Sequence, residues 1–182
     1  MRPSIWALVR LEPLARKLAC SVLREEGGRE APDLPGGEKM PDSDLDSLVY
    51  VSSAVRLLDV EEISYLLKRA RERNKEYGIT GVLLYIGGNF MQYIEGPKDN
   101  LDIIYKIICE DKQHAGIIMV SRETIEDRQF GDWSMAFQTK DFEGYVGSPS
   151  ERKLIDMILE LPDNNPSAVR IVFHSFWGRS GT

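Results

Sequence analysis

The sequence has few of the residues that usually build metal sites or disulfide frameworks. Its 182 residues include two cysteines, Cys20 and Cys109, and two histidines, His114 and His174. The cysteines lie far apart, which indicates neither a disulfide framework nor a thiolate metal cluster. No carboxylate stands at ligand spacing from either histidine. We therefore expect no bound metal and a reducing, cytoplasmic environment.

The sequence also lacks an excess of basic charge and any long apolar run. Its formal net charge is -6 at pH 7, and the lysines and arginines are scattered among acids. A nucleic-acid surface or an anionic membrane surface needs a basic patch, and a membrane-spanning helix needs about 20 mostly apolar residues. We therefore expect neither nucleic acid nor membrane as a partner. The hydrophobic content of 42% predicts one soluble domain with a sizeable core.

The first 44 residues differ in composition from the rest of the chain. Residues 5–24 are compatible with a short amphipathic helix broken near Pro13. The stretch EEGGREAPDLPGGEKMPDSD that follows is rich in glycine, proline and acids, and such a stretch buries too little apolar surface to order itself. We interpret residues 1–44 as a flexible N-terminal extension, followed by a domain over 45–140 and a C-terminal segment over 141–182.

From Leu48 onward the hydrophobic pattern predicts the order strand, helix, strand, strand, helix, strand, strand. Asp59 is a candidate cap for the first helix, which Gly78 ends, and a Gly87-Gly88-Asn89 turn joins the second and third strands. The second helix starts after Gly96-Pro97. Its predicted buried stripe consists of Ile103, Ile104, Ile107 and Ile108.

This order is typical of an α+β, ferredoxin-like fold, βαββαββ, with a mostly antiparallel sheet and both helices on one face. In the last strand, alternation predicts Trp133, Met135 and Phe137 on one side. The other face of the sheet needs a cover. Residues 141–182 are long enough for a C-terminal pair of helices there, the second marked by Phe173 and Phe176.

Three polar residues interrupt otherwise apolar patterns in this frame. Gln92 alternates with Phe90 and Ile94, Tyr50 lies on the first strand, and Asn74 lies on the inward stripe of the first helix. Each would lose about 1 to 3 kcal/mol if it were buried without a hydrogen-bond partner. A flat heteroaromatic ligand edged with carbonyl and N–H groups would pair all three beneath the helices.

Residues 46 to about 140 resemble a BLUF domain, the flavin-binding blue-light receptor module. The motifs that carry the resemblance are Tyr50 in LVYVSSA, Arg73-Asn74 followed by GITG, the hairpin LLYIGGNFMQYIEG, a helix ending near Asp111 with His114 after it, and FGDWSM. The spacings from Tyr50 to the asparagine and to the hairpin glutamine agree with the family pattern without a gap. The chain resembles the short, stand-alone class of the family.

The resemblance implies noncovalent FAD with its ring between the two helices. Carried over by position, the cofactor-binding residues are Tyr50, Arg73, Asn74, Gln92, Asp111 and His114. The asparagine and arginine would hold the carbonyl and imide edge of the ring, and the aspartate and histidine would face the ribityl and phosphate end. Gln113 stands where family members usually have an arginine, so the phosphate contacts depart from the pattern.

The resemblance also implies a photochemical relay, with no enzyme active site. Light would move an electron and a proton from Tyr50 through Gln92, whose amide would end in an altered hydrogen-bonding state by rotation or by tautomerisation. Trp133 and Met135 would pass the signal on. Members of the short class tend to form homo-oligomers and to act on a separate signalling protein.

The same strand and helix order is also the frame of RNA-recognition modules. In that alternative, Tyr50, Phe90 and Tyr93 would be base-stacking platforms, and the acidic balance weighs against it. A third possibility is a ferredoxin-like enzyme or structural subunit without a cofactor. The sequence offers no nucleophile and base at suitable spacing for such an enzyme.

Overall fold

The computed structural model describes residues 44–142 together with Phe173, Ser175 and Phe176, all within the unit Asp42–Thr182. Over this range the chain forms β1 (Leu45–Ala54), α1 (Val60–Glu76), β2 (Thr80–Ile86), β3 (Asn89–Pro97), α2 (Lys98–Glu110), β4 (His114–Ile125) and β5 (Ala136–Thr139). This order confirms the predicted ferredoxin-like α+β fold. The predicted N-terminal extension and nearly all of the predicted C-terminal helical pair lie outside the described residues.

The sheet has the strand order β4-β1-β3-β2-β5. Strands β1 and β3 are antiparallel neighbours within the sheet, and β5 joins the edge by running parallel to β2. The register of β1 and β3 sets Tyr50 directly opposite Gln92. Two of the three polar residues singled out in the sequence are therefore cross-strand partners.

Helix α1 begins and ends at the residues that the sequence indicates. The Asp59 carboxylate accepts a hydrogen bond from the backbone N–H of Glu62 at 2.9 Å, and the Glu62 carboxylate accepts one from the backbone N–H of Asp59 at 3.2 Å. This reciprocal capping box satisfies two N–H groups that the first turn would otherwise leave unpaired. Gly78 follows the helix with a φ of 61°, a conformation that glycine adopts without a steric penalty. The buried side of α1 includes Asn74, as predicted.

The hairpin between β2 and β3 turns through two glycines. Gly87 and Gly88 have φ values of 58° and 74°, and a two-residue turn with two positive φ values matches the twist of an antiparallel pair. Asn89, predicted in the turn, is the first residue of β3. The Asp141 carboxylate accepts from the backbone N–H of Gly87 at 2.7 and 2.9 Å, so the chain after β5 is tied to this hairpin.

Helix α2 is rotated relative to the prediction. Its buried residues are Leu101, Ile104, Tyr105 and Ile108, whereas Ile103, predicted as buried, is 40% exposed and Ile107 is only partly buried. The pairs Ile103-Ile104 and Ile107-Ile108 allow the helix to bury either member of each pair. The helix buries Ile104 and Ile108, because these two share a face with Leu101 and Tyr105. The predicted start of α2 after Pro97 is correct.

The two faces of the sheet carry separate apolar clusters. The cluster on the helix side contains Tyr50, Phe90, Met135 and Phe137. The cluster on the opposite face contains Val49, Met91, Tyr93, Phe130 and Phe173, with Trp133 and Phe176 packed against it. The predicted common face for Trp133, Met135 and Phe137 is therefore wrong for the tryptophan. Strand β5 begins only at Ala136, so period-2 alternation does not apply to residue 133.

Candidate functional site

A cleft of about 600 Å³, its open mouth included, lies over the helix side of the sheet. Strands β1, β2 and β3 form its floor, α1 forms one wall, and the end of α2 with the start of β4 forms the other. The lining residues are Tyr50, Tyr65, Leu66, Arg69, Ala70, Arg73, Leu83, Phe90, Gln92, Ile108, Asp111, Gln113 and His114. Five of the six predicted cofactor-binding residues line this cleft, and Asn74 does not.

Tyr50 and Gln92 are joined at the floor of the cleft. The two side chains are 1% and 5% exposed, and the Tyr50 hydroxyl donates a hydrogen bond to Oε1 of Gln92. Burial raises the pKa of Tyr50 well above its usual range, and the positive charge of Arg73 opposes this. The phenol therefore keeps its proton, and that proton points at the glutamine.

The other end of the Gln92 amide contacts the chain before β5. Nε2 donates to Sδ of Met135 at 3.3 Å, and a thioether sulfur is a weak acceptor. The sequence led us to expect a cofactor as the partner of this amide. In the part of the chain that the structure describes, a phenol is the partner of the oxygen and a weakly accepting sulfur is the partner of the nitrogen.

Arg73 and Asn74 place two buried polar atoms near the cleft. Nε of Arg73 and Oδ1 of Asn74 have no hydrogen-bond partner within the described part of the chain. The Asn74 side chain is 1% exposed, and its Nδ2 donates to the carbonyl of Ser134 at 2.8 Å. Burial lowers the pKa of Arg73. One unpaired donor and one unpaired acceptor on adjacent residues are the groups that an imide and carbonyl edge would satisfy.

Asp111 and His114 lie at the other wall. Asp111 ends α2, and its Oδ1 accepts from the backbone N–H of Gln113 at 2.9 Å. His114 begins β4, and its Nδ1 lies 2.8 Å from the Ser52 hydroxyl. Burial lowers the pKa of His114, which Asp111 opposes and Arg73 reinforces. A neutral imidazole at this position is therefore favoured near neutral pH.

Residues 126–135, here called the β4–β5 segment, connect the two faces of the sheet. Met135 packs in the helix-side cluster, and Trp133 packs against the opposite cluster. The Trp133 carbonyl accepts from the backbone N–H of Gly81 at 3.0 Å. Nε of Arg71 donates to the Met135 carbonyl at 2.9 Å. Arg71 was not a candidate in the sequence, because a surface-type residue on a helix gives no sign of a distant backbone partner.

The structure does not support the RNA-binding alternative, because the aromatic side chains proposed for base stacking are not exposed. Tyr50, Phe90 and Tyr93 are all buried, and Tyr93 faces away from the cleft in the opposite cluster. Stacking of RNA bases needs exposed aromatic faces. Within the described ranges, no group of three histidine, cysteine, aspartate or glutamate side chains is placed to hold a metal ion. No helix in the same ranges has the length and apolar character to cross a membrane.

The residues of this site fit a flavin. The floor of the cleft carries a phenol and an amide, and Arg73 on its α1 wall has an unpaired donor. Asn74, the next residue of α1, has an unpaired buried acceptor. These features are those of a ligand-binding domain built on a ferredoxin-like sheet. A profile of the BLUF family, described as sensors of blue-light using FAD, matches residues 45–136, just over half of the chain. The chain belongs to the BLUF family, whose cofactor is FAD.

Known proteins similar to this chain are BLUF sensors. The photoactivated adenylate cyclase subunit beta of Euglena longa is 35% identical over 101 residues, which cover 55% of this chain and 12% of that protein. The blue light- and temperature-regulated antirepressor BluF of Escherichia coli is 33% identical over 91 residues, covering 50% and 23%. The dark-state structure of the BLUF protein BlrB matches with a TM-score of 0.55 at 33% identity, covering 76% and 98%. The chain spans less than a quarter of the two curated relatives.

Proposed function

We propose that Tyr50 and Gln92 are the light-responsive pair of this blue-light sensor. The observation that carries the proposal is the hydrogen bond from the Tyr50 hydroxyl to Oε1 of Gln92, where both side chains line the cleft. The pair is buried and aligned by the register of two sheet strands, so its geometry does not depend on a loop. Proton transfer needs this kind of preset contact.

The proposed cofactor contacts follow the unpaired buried groups of Arg73, which lines the cleft, and of Asn74, the next residue. Bound FAD would supply absorption of blue light and an acceptor for an electron in its excited state. Nε of Arg73 would donate to a ring carbonyl, and Oδ1 of Asn74 would accept from the ring imide N–H. Asp111 and His114, at the far wall, would face the ribityl and phosphate end.

In the proposed relay, Tyr50 gives up its proton along the existing bond to Gln92. The raised pKa of Tyr50 keeps the phenol neutral in the dark, so the proton leaves only when an electron leaves with it. Gln92 then changes its hydrogen bonds. The cost is small on the Nε2 side, because the partner of that group among the described residues is a weakly accepting sulfur. Both rotation and tautomerisation of the amide are compatible with this step.

Met135 and Trp133 are proposed to carry the change out of the cleft. Met135 contacts the Gln92 amide, and Trp133 packs on the opposite face of the sheet near Phe173 and Phe176. A change in the amide therefore has a short physical route from one face of the sheet to the other. Substitutions at Trp133 and Met135 should therefore alter signal transfer or dark recovery more than flavin binding.

We further propose that the chain acts in the cytoplasm as a homo-oligomer that signals to a separate protein and has no catalytic activity of its own. The cysteine content supports a reducing compartment. The other parts rest on the resemblance to short BLUF proteins. Light scattering gives the subunit number, and affinity capture in light and in darkness identifies a partner that binds in one state only.

A light-minus-dark absorption spectrum of the flavin-loaded protein tests the central proposal. We expect a reversible red shift of the flavin bands after blue illumination. A flavin-loaded sample whose visible spectrum is the same in light and in darkness would disprove the relay.

A further inference from the structure

One fully buried carboxylate, that of Glu95, has no part in the proposed relay. Glu95 is 0% exposed and lies on β3 three residues after Gln92, on the opposite face of the sheet because side chains alternate along a strand. A buried carboxylate is costly unless hydrogen bonds compensate for the lost hydration. Its partners therefore show what the group does.

Four neutral donors surround the Glu95 carboxylate. Oε1 accepts from the hydroxyl of Thr80 at 3.0 Å and from the backbone N–H of Phe130 at 2.6 Å. Oε2 accepts from the hydroxyl of Tyr93 at 2.8 Å and from the backbone N–H of Gln129 at 2.8 Å. Each oxygen thus holds one sheet hydroxyl and one backbone amide of the β4–β5 segment.

The two backbone amides bound by Glu95, those of Gln129 and Phe130, come just before residues 131–135, which lead to the cleft. The Phe130 carbonyl accepts from the backbone N–H of Trp133 at 2.9 Å, which closes a turn. Beyond that turn, the carbonyl of Ser134 and the sulfur of Met135 are held by Asn74 and Gln92. The β4–β5 segment is therefore held near its middle by the Glu95 carboxylate and at its C-terminal end by Asn74 and Gln92.

We propose that Glu95 is a positioning residue that holds the β4–β5 segment in its dark conformation and so sets the contact between Met135 and Gln92. This inference rests on the proposed role of Gln92 in the relay. Glu95 is not among the residues that line the cleft. It acts through the backbone amides of residues 129 and 130.

The substitution Glu95→Gln tests this role with almost no change in volume. A carboxamide has one acceptor oxygen and one N–H₂ donor group. Whichever way the amide is oriented, its N–H₂ group faces the backbone N–H of either Gln129 or Phe130, and a backbone N–H cannot become an acceptor. The hydroxyls of Thr80 and Tyr93 can rotate and adapt. One bond to the β4–β5 segment is therefore always lost.

Tyr93→Phe is the matched control. It removes one hydroxyl donor from the same carboxylate and leaves both bonds to residues 129 and 130 in place. The control separates loss of the segment anchor from a general disturbance around Glu95.

Hydrogen exchange of the backbone amides gives the first readout, with or without cofactor. In the unmodified protein we expect the amides of Gln129 and Phe130 to be protected like those of β3. In Glu95→Gln we expect one of them to exchange at least about tenfold faster while β3 is unchanged, since one hydrogen bond to a charged group is lost. Equal exchange in the variant and in Tyr93→Phe would overturn the proposal. So would unprotected amides in the unmodified protein, a result that does not depend on the variant folding.

Dark recovery after illumination gives the second readout, which a purely structural role would not change. We expect Glu95→Gln to slow recovery about threefold to tenfold, because the β4–β5 segment returns to a less stable dark conformation. Tyr93→Phe should recover at nearly the normal rate. Faster exchange with an unchanged recovery time would refute the positioning role. Absence of any light response in the unmodified protein would instead refute the relay, and the exchange result would still stand.

Discussion

The hydroxyl of Tyr50 donates a hydrogen bond to Oε1 of Gln92, its direct partner across β1 and β3. The contact is buried and lies in the floor of the cleft. The register of the two strands fixes the backbones of both residues side by side, so the phenol and the amide start from adjacent positions. A change on light absorption can then occur in the orientation or protons of the amide, or in what the amide contacts next.

Tyr50→Phe should keep the fold and the flavin but lose the light-induced red shift. Phenylalanine fills nearly the same volume, while the hydroxyl that carries the proton is gone. The measurement is the light-minus-dark spectrum at equal flavin occupancy. Tyr85→Phe is the control, because it removes a buried hydroxyl that contacts the backbone N–H of Leu58 and does not line the cleft. A normal shift in Tyr50→Phe would remove this tyrosine from the relay.

Gln92→Leu should bind flavin and show no red shift. Leucine keeps an apolar floor in the cleft, but it offers neither the acceptor for Tyr50 nor a movable amide. The Tyr50 hydroxyl then loses its buried partner, which should lower the free energy of unfolding by about 1 to 3 kcal/mol.

Gln138→Leu is the matched control for this change. Gln138 is also a buried glutamine of the sheet, and it lies next to Phe137 in β5, so alternation directs it to the face opposite the cleft. We expect its red shift to be retained. Equal light responses in both variants would argue against a specific role for Gln92, and thermal melts show whether the predicted loss of stability is present.

The sequence predicted the parts of this site that depend on local pattern. Alternation along the strands indicated the inward face of Tyr50 and Gln92, and helical spacing indicated the inward position of Asn74. These patterns are reliable because each strand or helix buries one face over its whole length. The element order and the caps of α1 follow from equally local signals.

The parts that the sequence did not predict depend on contacts between distant residues. Glu95 was not singled out in the sequence, because its partners at residues 129 and 130 are backbone amides that carry no sequence signature. The side taken by Trp133 depends on where β5 starts to pair with β2. The buried face of α2, with Ile103 outside, depends on the rotation of the helix against the sheet.

The stability of the protein should decrease on mild acidification because of His114. Its pKa is lowered in the folded state, mainly by burial, so the unfolded chain binds the proton more readily once the pH approaches the ordinary value of about 6.5. The contribution of His114 to the free energy of unfolding is complete above that pH. It decreases as the pH falls below this value towards the lowered pKa of the folded state, by at most about 1.4 kcal/mol per pH unit.

Denaturant unfolding between neutral pH and the onset of carboxylate titration near pH 5 measures this slope. His114→Gln keeps a hydrogen-bonding side chain near Ser52 without a titrating group, so its stability should depend less on pH over this window. Parallel pH dependences for the variant and the unmodified protein would show that His114 titrates normally.

Arg69 should contribute to the affinity for FAD more than to the affinity for riboflavin. Its side chain lines the mouth of the cleft and lies over the ring of Tyr65, which is 62% exposed. With Gln113 in place of a cation on the opposite wall, the positive charges lining the cleft, Arg69 and Arg73, stand on α1. A diphosphate that extends from the wall of Asp111 and His114 to the mouth of the cleft would therefore find its cationic partner in Arg69 on α1. An exposed charge pair contributes only about 0.2 to 1 kcal/mol, so Arg69→Ala should weaken FAD about twofold to fivefold and leave riboflavin unchanged. Fluorescence titrations of both flavins measure the ratio of the two affinities.

Lys68→Ala is the control. It removes an exposed charge of the same helix that does not line the cleft, and it should change neither affinity. If Arg69→Ala weakens both flavins equally, the arginine supports the cleft wall and does not pair with the diphosphate.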